Sequence, residues 1–492
     1  MRHSWPARLP IFLLLCAQPA LVTATVTRYP YVQKLGRTSV TIMWRTTNQA
    51  AQTIEYGEGT SYDHSFTESQ ATSNHEVTLT GLFPGATYNY RLVGESLPGA
   101  PPFFFSTDHG RSTGTFSFFV TADIGENNAT TGHQDETAAM ILSQYPRPTF
   151  GLLAGDIVYP DGDAADYNAN LMTPWRGVLG NMCVWPALGN HDWMRNPETN
   201  FVREWALPNN EHYYSFDYGN AHFIALDSKN GILHDKPAQL AWLRQDLEAH
   251  RGVQWTFVFF HHPMLTCTYK GHEPDLAQSL MPILDEFKVD VVFTGHAHTY
   301  ERLYPIHNGA PIDMAMDPYY VKPRGVIYIV SGAGGKIEMN SPTVFCGINA
   351  FFLDERILFT MVHVLNDALI IFAIDSITGQ VLDGISIMKE STTLDVASMA
   401  PRPSLLHNVP NPFNPSTTIT FEIPVESLVN LDVYRADGRW ITSLAHQVYG
   451  PGMHRVPWNG LDQRGELLPS GTYIARLKAG HVERTVKMTL LR

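Results

Sequence analysis

Thr294-Gly295-His296-Ala297-His298-Thr299 follows an apolar run, Val289 to Phe293, that reads as a buried strand. Two imidazoles two residues apart, just past a strand end, can be aimed at one point if the chain turns there. Gly295 removes a Cβ where the backbone must bend. Neutral imidazole is a common ligand for zinc and iron. Taken alone, the pair reads equally well as two core or surface histidines. Four more strand-like runs end in polar motifs. Phe116–Ala122 leads into Asp123-Ile124-Gly125, and Thr149–Ala154 into Gly155-Asp156-Ile157-Val158-Tyr159. Val184–Leu188 leads into Gly189-Asn190-His191-Asp192, and Gln254–Phe260 into His261-His262-Pro263. Each member has an ordinary reading by itself: Asp123 as a cap, Asp156 and Asn190 as turn formers, Tyr159 as core, one histidine as a satisfied core residue. In α/β sheets, however, ligands bind beyond the carboxyl ends of the strands. Five such ends carrying carboxylate, amide, phenol and imidazole groups point to a dinuclear metal centre. One carboxylate can bridge two ions, and water held between them becomes a nucleophile at neutral pH.

The elements that must position these groups lie in residues 115–390, where apolar strand-like runs alternate with helical patterns, the signature of stacked α and β layers. His222–Leu226 is a sixth strand, and His222 within it reads as structural. Pro237 to His250 reads as a helix with Leu240, Leu243 and Leu247 on one face. Asp275 to Phe287 reads as another, kinked or split at Pro282. Ser331-Gly332-Ala333-Gly334-Gly335 lacks the Lys-Ser/Thr of a phosphate-binding P-loop and reads as a turn packed near the site.

The chain has 492 residues, room for roughly three domains, and 44% hydrophobic and 11% aromatic residues. Its net charge of −13 sits mainly in residues 109–404, which argues against nucleic-acid binding through a basic face. An acidic domain that handles anions needs bound cations to reverse the local field. Residues 1–24 read as a signal peptide: Arg2 and Arg8, then apolar Ile11 to Val22, then a small-residue cleavage site at Val22-Thr23-Ala24. That apolar run is too short to span a bilayer, and no other stretch is long and apolar enough. Export leaves Cys183, Cys267 and Cys346, of which two can pair; sequence does not choose which.

Residues 25–108 read as an all-β module. Val40, Ile42 and Trp44 alternate with Thr41, Met43 and Arg45, and Tyr88, Tyr90 and Leu92 repeat the period. The module resembles a fibronectin type III sandwich, with Tyr88 as a tyrosine corner. Residues 391–404 read as a linker. Residues 405–492 read as a small C-terminal β-sandwich opened by the proline-dense Pro410-Asn411-Pro412-Phe413-Asn414-Pro415. With Trp458-Asn459-Gly460 and Pro469-Ser470-Gly471-Thr472-Tyr473, this tail resembles the flagellar-hook-cap-like Ig domain that serves as the sorting tail of type IX secreted bacterial proteins. That resemblance implies contact with secretion machinery and a secreted or cell-surface location.

The ordered set Asp-x-Gly, Gly-Asp-x-x-Tyr, Gly-Asn-His, His and Gly-His-x-His resembles the calcineurin-like metallophosphoesterases. Tyr159, the continuation Thr299-Tyr300-Glu301-Arg302 and the preceding module narrow the resemblance to the purple acid phosphatases. It implies a four-layer α/β sandwich for residues 115–390. It also implies a secreted acid phosphatase that hydrolyses small phosphate monoesters by attack of a metal-bound hydroxide. A phosphodiesterase on the same site is the alternative, and a surface binding protein without activity a more distant one. The resemblance assigns Asp123, Tyr159 and His298 to Fe(III), and Asn190, His261 and His296 to a divalent Fe, Zn or Mn, with Asp156 bridging. His261 rather than its neighbour His262 takes the ligand position. His191 is implied as the phosphate contact and proton donor. Asp192 holds His191 on a shorter arm than the glutamate of many relatives. His272 is implied as a substrate or proton-donor group, with a surface loop histidine as its ordinary reading, and Asn127 and Arg302 read either as supports behind the ligands or simply as polar loop residues. Oligomeric state is not legible in the sequence.

Overall fold

The computed structural model describes residues 25–492 except 96, 98–101, 111–113, 127–131, 145, 269, 315–318, 322, 338–345, 390–405, 424–426, 451 and 480–481. The leader 1–24, the linker 391–404 and Asn127 lie outside the described residues.

The N-terminal strands form two sheets. Val26–Gln33, Ser39–Ala50 and Thr72–Thr80 make one, and Thr53–Glu58, His64–Thr67, Thr87–Leu92 and Phe103–Ser106 the other. Along Thr87–Leu92, Tyr88, Tyr90 and Leu92 are buried while Thr87 and Arg91 are exposed, as period-2 alternation requires. The Tyr88 hydroxyl accepts the Phe83 N–H at 2.9 Å, the bond of a tyrosine corner. This module is locked to the central domain. Glu204 pairs with both Arg28 and Arg45, the latter at 2.7 Å, and its backbone carbonyl accepts the Tyr31 hydroxyl at 2.8 Å. Tyr90 donates to the Gly180 carbonyl at 2.8 Å, and the Gln33 amide to the Val184 carbonyl at 3.4 Å.

The central domain holds two seven-stranded sheets. In the first, Cys183–Ala187, Phe150–Ala154 and Thr115–Thr121 run parallel, followed by Leu358–Leu365, Ala368–Asp375, Val381–Met388 and Tyr319–Val321. In the second, Ala221–Ala225, Trp255–Phe259, Val291–Thr294 and Ile327–Ser331 run parallel, flanked by Tyr214–Tyr218 on one side and by Tyr300–Leu303 and Asn349–Leu353 on the other. The sheets meet through aromatic rings. Phe118 of the first lies 5.2 Å from Phe223 and from Phe257 of the second, edge to face in both cases. Alternate residues of the second sheet, Ile224, Val258 and Val292, point the other way. They pack on Leu243 and Leu247 of helix Lys236–Ala249 and on Leu276, Leu280 and Ile283 of helix Pro274–Phe287. Outside the first sheet lies helix Gln134–Ser143, and Trp175 packs on Phe119 with ring centroids 6.0 Å apart. The result is a four-layer sandwich.

Helix Pro274–Phe287 runs continuously through Pro282, so of the kink or split read from the sequence the split does not occur. The carbonyl that loses its partner belongs to Gln278, an exposed residue that water can satisfy, while the buried leucine face holds both halves. His222 is structural: its ring joins Asp217 and Asp246 at 2.8 and 2.7 Å and stacks on His250. Cys267 is disulfide-bonded to Cys346, and Cys183 is free and buried.

The C-terminal unit has its own core of Phe413, Phe421, Leu431, Trp458 and Tyr473 between sheets of three and four strands, Leu406–Val409 to Val482–Leu490.

Phe118→Ala removes the ring that joins the two sheets. It is expected to cost the central domain about 3–5 kcal/mol, read as a lowered urea midpoint of tryptophan fluorescence.

Candidate metal centre

Most of the functional candidates sit beyond the C-terminal ends of the parallel strands. Asp123 follows Thr115–Thr121, Asp156 follows Phe150–Ala154, Asn190 follows Cys183–Ala187, His261 follows Trp255–Phe259, and His296 and His298 follow Val291–Thr294. The exceptions in position are His272 and Arg302.

The turns that deliver them are unusual. Asp123, Asp156 and His296 adopt left-handed backbone, with φ of 56°, 52° and 69°. Such residues cost of the order of 1 kcal/mol or more each and persist only where surrounding bonds hold them. Here the bonds are visible: Asp123 N–H to Gly155 O at 3.1 Å, Ile124 N–H to Asp156 O at 3.2 Å, and His296 N–H to Asp123 Oδ2 at 2.8 Å. Gly295 does not supply the left-handed bend; His296 does. Gly295 is required for closeness, since a Cβ there would lie 2.4 Å from the Ala122 Cβ and 2.7 Å from Asp123 Oδ2. The glycine-rich turn after Ile327–Ser331 closes the same side. Gly334 and Gly335 donate to the carbonyls of Ala122 and Asp123, and a Cβ at Gly335 would lie 1.8 Å from the Ile124 carbonyl oxygen.

The side chains converge in two groups that share Asp156. In the first, the Tyr159 hydroxyl lies 2.8 Å from Asp123 Oδ1, 3.1 Å from Asp156 Oδ2 and 3.3 Å from His298 Nε2, and His298 Nε2 lies 3.4 Å from Asp123 Oδ1. In the second, His261 Nε2 lies 3.2 Å from Asp156 Oδ2 and 3.2 Å from Asn190 Oδ1. The rings of His261 and His296 are 5.1 Å apart. Two ligands on one ion with bonds near 2.1 Å are about 3.0–3.4 Å apart. The donor spacing therefore matches the edges of ligand polyhedra, and the residues fit a pair of ions. His261 Nδ1 faces the Ala154 carbonyl at 2.9 Å, which makes it the N–H and leaves the Nε2 lone pair toward the centre.

The electrostatics agree. Burial, then the charges of Asp123 and Asp156, hold the Tyr159 phenol well above its ordinary range, so that only a nearby cation would ionise it. Burial opposes charge on both Asp156 and His261. Their mutual attraction nevertheless keeps the Asp156 carboxyl low and raises His261 to about 9. Burial, then the charge of His261, lowers His262 to about 3 and pulls His296 down as well.

Three assignments change. Asp192 does not hold the His191 ring. Its buried carboxylate accepts the Gly189 N–H at 2.9 Å and the Ile157 N–H at 3.1 Å, tying the Asn190 turn to the Asp156 turn; the contact of His191 Nδ1 is the Pro160 carbonyl. Aspartate's short arm reaches backbone where a longer one would reach past it. His272 is exposed, its Nδ1 accepts the Thr266 N–H at 3.1 Å, and it does not line the cleft over the centre. Lys270, two residues earlier, does, together with Asp156, Asn190, His191, His296, His298, Lys336 and Ile337. Arg302 contacts no ligand. It grips Asp383 of the first sheet at 2.7 and 3.0 Å, joining the sheets away from the site. Sequence reading passed over both cleft lysines. Lys336 directly follows the glycine-rich turn, and its Nζ lies 3.8 Å from the centre of the Tyr159 ring and 3.4 Å from Glu126 Oε2. His262 also enters the cluster: its donor atom and those of His261 and His296 lie within 4.8 Å of one another.

Comparison with known proteins adds an independent line. Residues 28–107 match the family model "Purple acid Phosphatase, N-terminal domain", and residues 116–300 match "Calcineurin-like phosphoesterase". Purple acid phosphatase 23 of Arabidopsis thaliana is 35% identical over 309 residues, 54% of this chain and 63% of that protein. Acid phosphatase type 7 of Homo sapiens is 26% identical over 321 residues, 59% of this chain and 71% of that protein. The solved purple acid phosphatase PPD1 from yellow lupin (Lupinus luteus) seeds shares the fold, with a TM-score of 0.64 over 75% of each chain at 18% identity. Two successive stretches of the chain thus match the N-terminal and the phosphoesterase family models, in the order in which the fold places the sandwich and the central domain.

Asp156→Asn keeps the size of the side chain and removes the charge common to both groups. Metal affinity is expected to fall by more than roughly 100-fold, measured by metal analysis after equilibrium dialysis, with circular dichroism unchanged.

Proposed function

We propose that the chain, whose two matched domains are those of a purple acid phosphatase, is an exported acid phosphatase that hydrolyses phosphate monoesters on a dinuclear metal centre. The observation that carries this reading is the shared position of Asp156 between two donor groups, one of oxygens with His298 and one with two imidazoles and an amide. Asp123, Tyr159 and His298 would hold a hard trivalent ion, Fe(III), because carboxylate and phenolate oxygens suit it. Asn190, His261 and His296 would hold a divalent Fe, Zn or Mn. When bound, the ions supply Lewis-acid charge to the phosphate oxygens and make water a nucleophile at neutral pH.

The chain's own residues do the rest. His191 lies over the Tyr159 ring with its Nδ1 on the Pro160 carbonyl, which fixes Nδ1 as the N–H. Its Nε2, 3.9 Å from Asp156 Oδ2, faces the cleft and in the imidazolium form can give its proton to the leaving alkoxide. Lys270 and Lys336 line the mouth of the cleft and favour the entry of an anion into an otherwise acidic domain. The Asp192 carboxyl, pushed up to about 8 by burial and then by the charge of Asp156, acts beneath the site on backbone and touches no reacting atom.

A cleft with His191 and two lysines suits a dianion, which supports monoesters over diesters. Export is supported by the leader-like residues 1–24 and by the Cys267–Cys346 disulfide, which suits an oxidising compartment. The C-terminal sandwich would act as the sorting tail.

Purified protein is expected to show a visible absorption band that Tyr159→Phe abolishes, and a higher kcat/KM on an aryl phosphate than on the corresponding diester. Equal or greater diester activity would remove the monoester assignment. A chain ended at Pro403 is expected to stay with the cells when expressed in a host with type IX export, and undiminished secretion would count against the sorting role.

A further inference from the structure

A further parallel strand, Ala221–Ala225, also ends in a polar turn, Leu226-Asp227-Ser228, which lies outside the donor groups described above. Asp227 is fully buried. Its two oxygens meet His212 Nδ1 at 3.1 Å and the Trp193 indole N–H at 3.0 Å. His234, half-buried, completes the group: one donor atom each from His212, Asp227 and His234 lies within 4.8 Å of the others. Lys229 Nζ lies over the Trp193 ring, 3.8 Å from its centre.

We propose that His212, Asp227 and His234 form a third, mononuclear metal site for a divalent ion of the zinc class. Its imidazole spacing matches that of the dinuclear centre, although these two rings are stacked rather than edge to face. The His212 and His234 ring centroids are 5.0 Å apart, against 5.1 Å for His261 and His296. The 3.1 Å between His212 Nδ1 and Asp227 Oδ2 falls in the about 3.0–3.4 Å expected of two ligands on one ion. Two imidazoles and one carboxylate are a common zinc donor set, with a fourth position left for water. The second carboxylate oxygen is oriented by Trp193, and a ligand held by an outer hydrogen bond is the usual mark of a built site. The backbone is fixed too. Gln239 accepts the Asp227 N–H at 2.9 Å and donates to the carbonyls of Asp227 and His234 at 3.1 and 2.8 Å, while the His234 N–H reaches the Asp227 carbonyl at 3.0 Å. His234, being half-buried, gives the ion a way in.

The site is wired to the dinuclear centre at two points. Ser228 Oγ meets His262 Nδ1 and accepts the His262 N–H, both at 3.1 Å, and Trp193 belongs to the short helix Asn190–Met194. An ion here would stiffen the turns that carry Asn190 and His262. The site stands on its own donors and does not depend on which ester the main centre hydrolyses.

The test is zinc binding by the full-length chain, dialysed free of metal and then equilibrated with buffered zinc, with metal per chain read by mass spectrometry. Wild type should bind one more ion than His234→Ala, and the affinity of that ion should be more than roughly 100-fold weaker in the variant, since losing a ligand exceeds the cost of losing its outer partner. His212→Gln is the second variant and should show the same deficit. Cobalt in place of zinc should lose one set of visible bands in both variants. Circular dichroism and the melting temperature of the metal-free proteins check that the variants fold. Equal metal content in wild type and a folded variant at every zinc concentration would overturn the site and leave His212 and Asp227 as a hydrogen-bonded pair only.

Discussion

Burying several ionisable groups at one point, away from water, is the constraint from which the rest of this structure follows. Asp123, Asp156, Tyr159 and His261 have almost no exposure, and each burial costs several kcal/mol for a charged form unless compensated. Within the protein, compensation is partial: the Tyr159 phenol is held un-ionised and the two carboxylates lean on imidazoles. Cations held between these groups would complete it. A site of this kind must be assembled by a scaffold with stability to spare, because each left-handed turn and each desolvated carboxylate draws on it.

The scaffold meets that demand with aromatic packing between two sheets. Phe116, Phe118, Phe150, Phe216, Phe223, Phe257 and Phe293 form a continuous ring-to-ring interior directly behind the strand ends. Parallel strands in register then present their carboxyl ends together, so residues from Asp123 to His298 meet although 175 positions of sequence separate them. The glycines act at this junction by absence: Gly295 and Gly335 let neighbouring turns approach to distances that any Cβ would forbid.

Much of this could be read before any coordinates. A strand followed by an unusual polar pair is a local pattern, and five of them in order specify a common edge. That Asp123, Asp156, Tyr159, Asn190, His261, His296 and His298 meet at one edge was legible for that reason, and so were the layers of the fold. What was not legible depends on contacts between distant segments. Lys270 and Lys336 are ordinary loop lysines until the turns fold over the cleft. His272 looked chemical but its ring is spent on the Thr266 amide. Arg302 sits in a suggestive motif yet faces Asp383, some eighty positions away. The hairpin of Leu358–Leu365 and Ala368–Asp375 completes the first sheet from far along the chain, where apolar runs alone do not reveal which strand they join. Pro282 illustrates the reverse error, a strong local rule overruled by a well-packed helix face.

The strand that delivers Asn190, Cys183–Ala187, is the outermost strand of its sheet. An open strand of this kind is a template for pairing with other molecules and a starting point for aggregation. Val26–Gln33 of the N-terminal module lies alongside it, with Gln33 on the Val184 carbonyl and the Arg28–Glu204–Arg45 cluster anchoring the pair. The module that carries no chemistry thus acts as a built-in guard. It covers the border strand of the first sheet and so shields it from intermolecular β-addition.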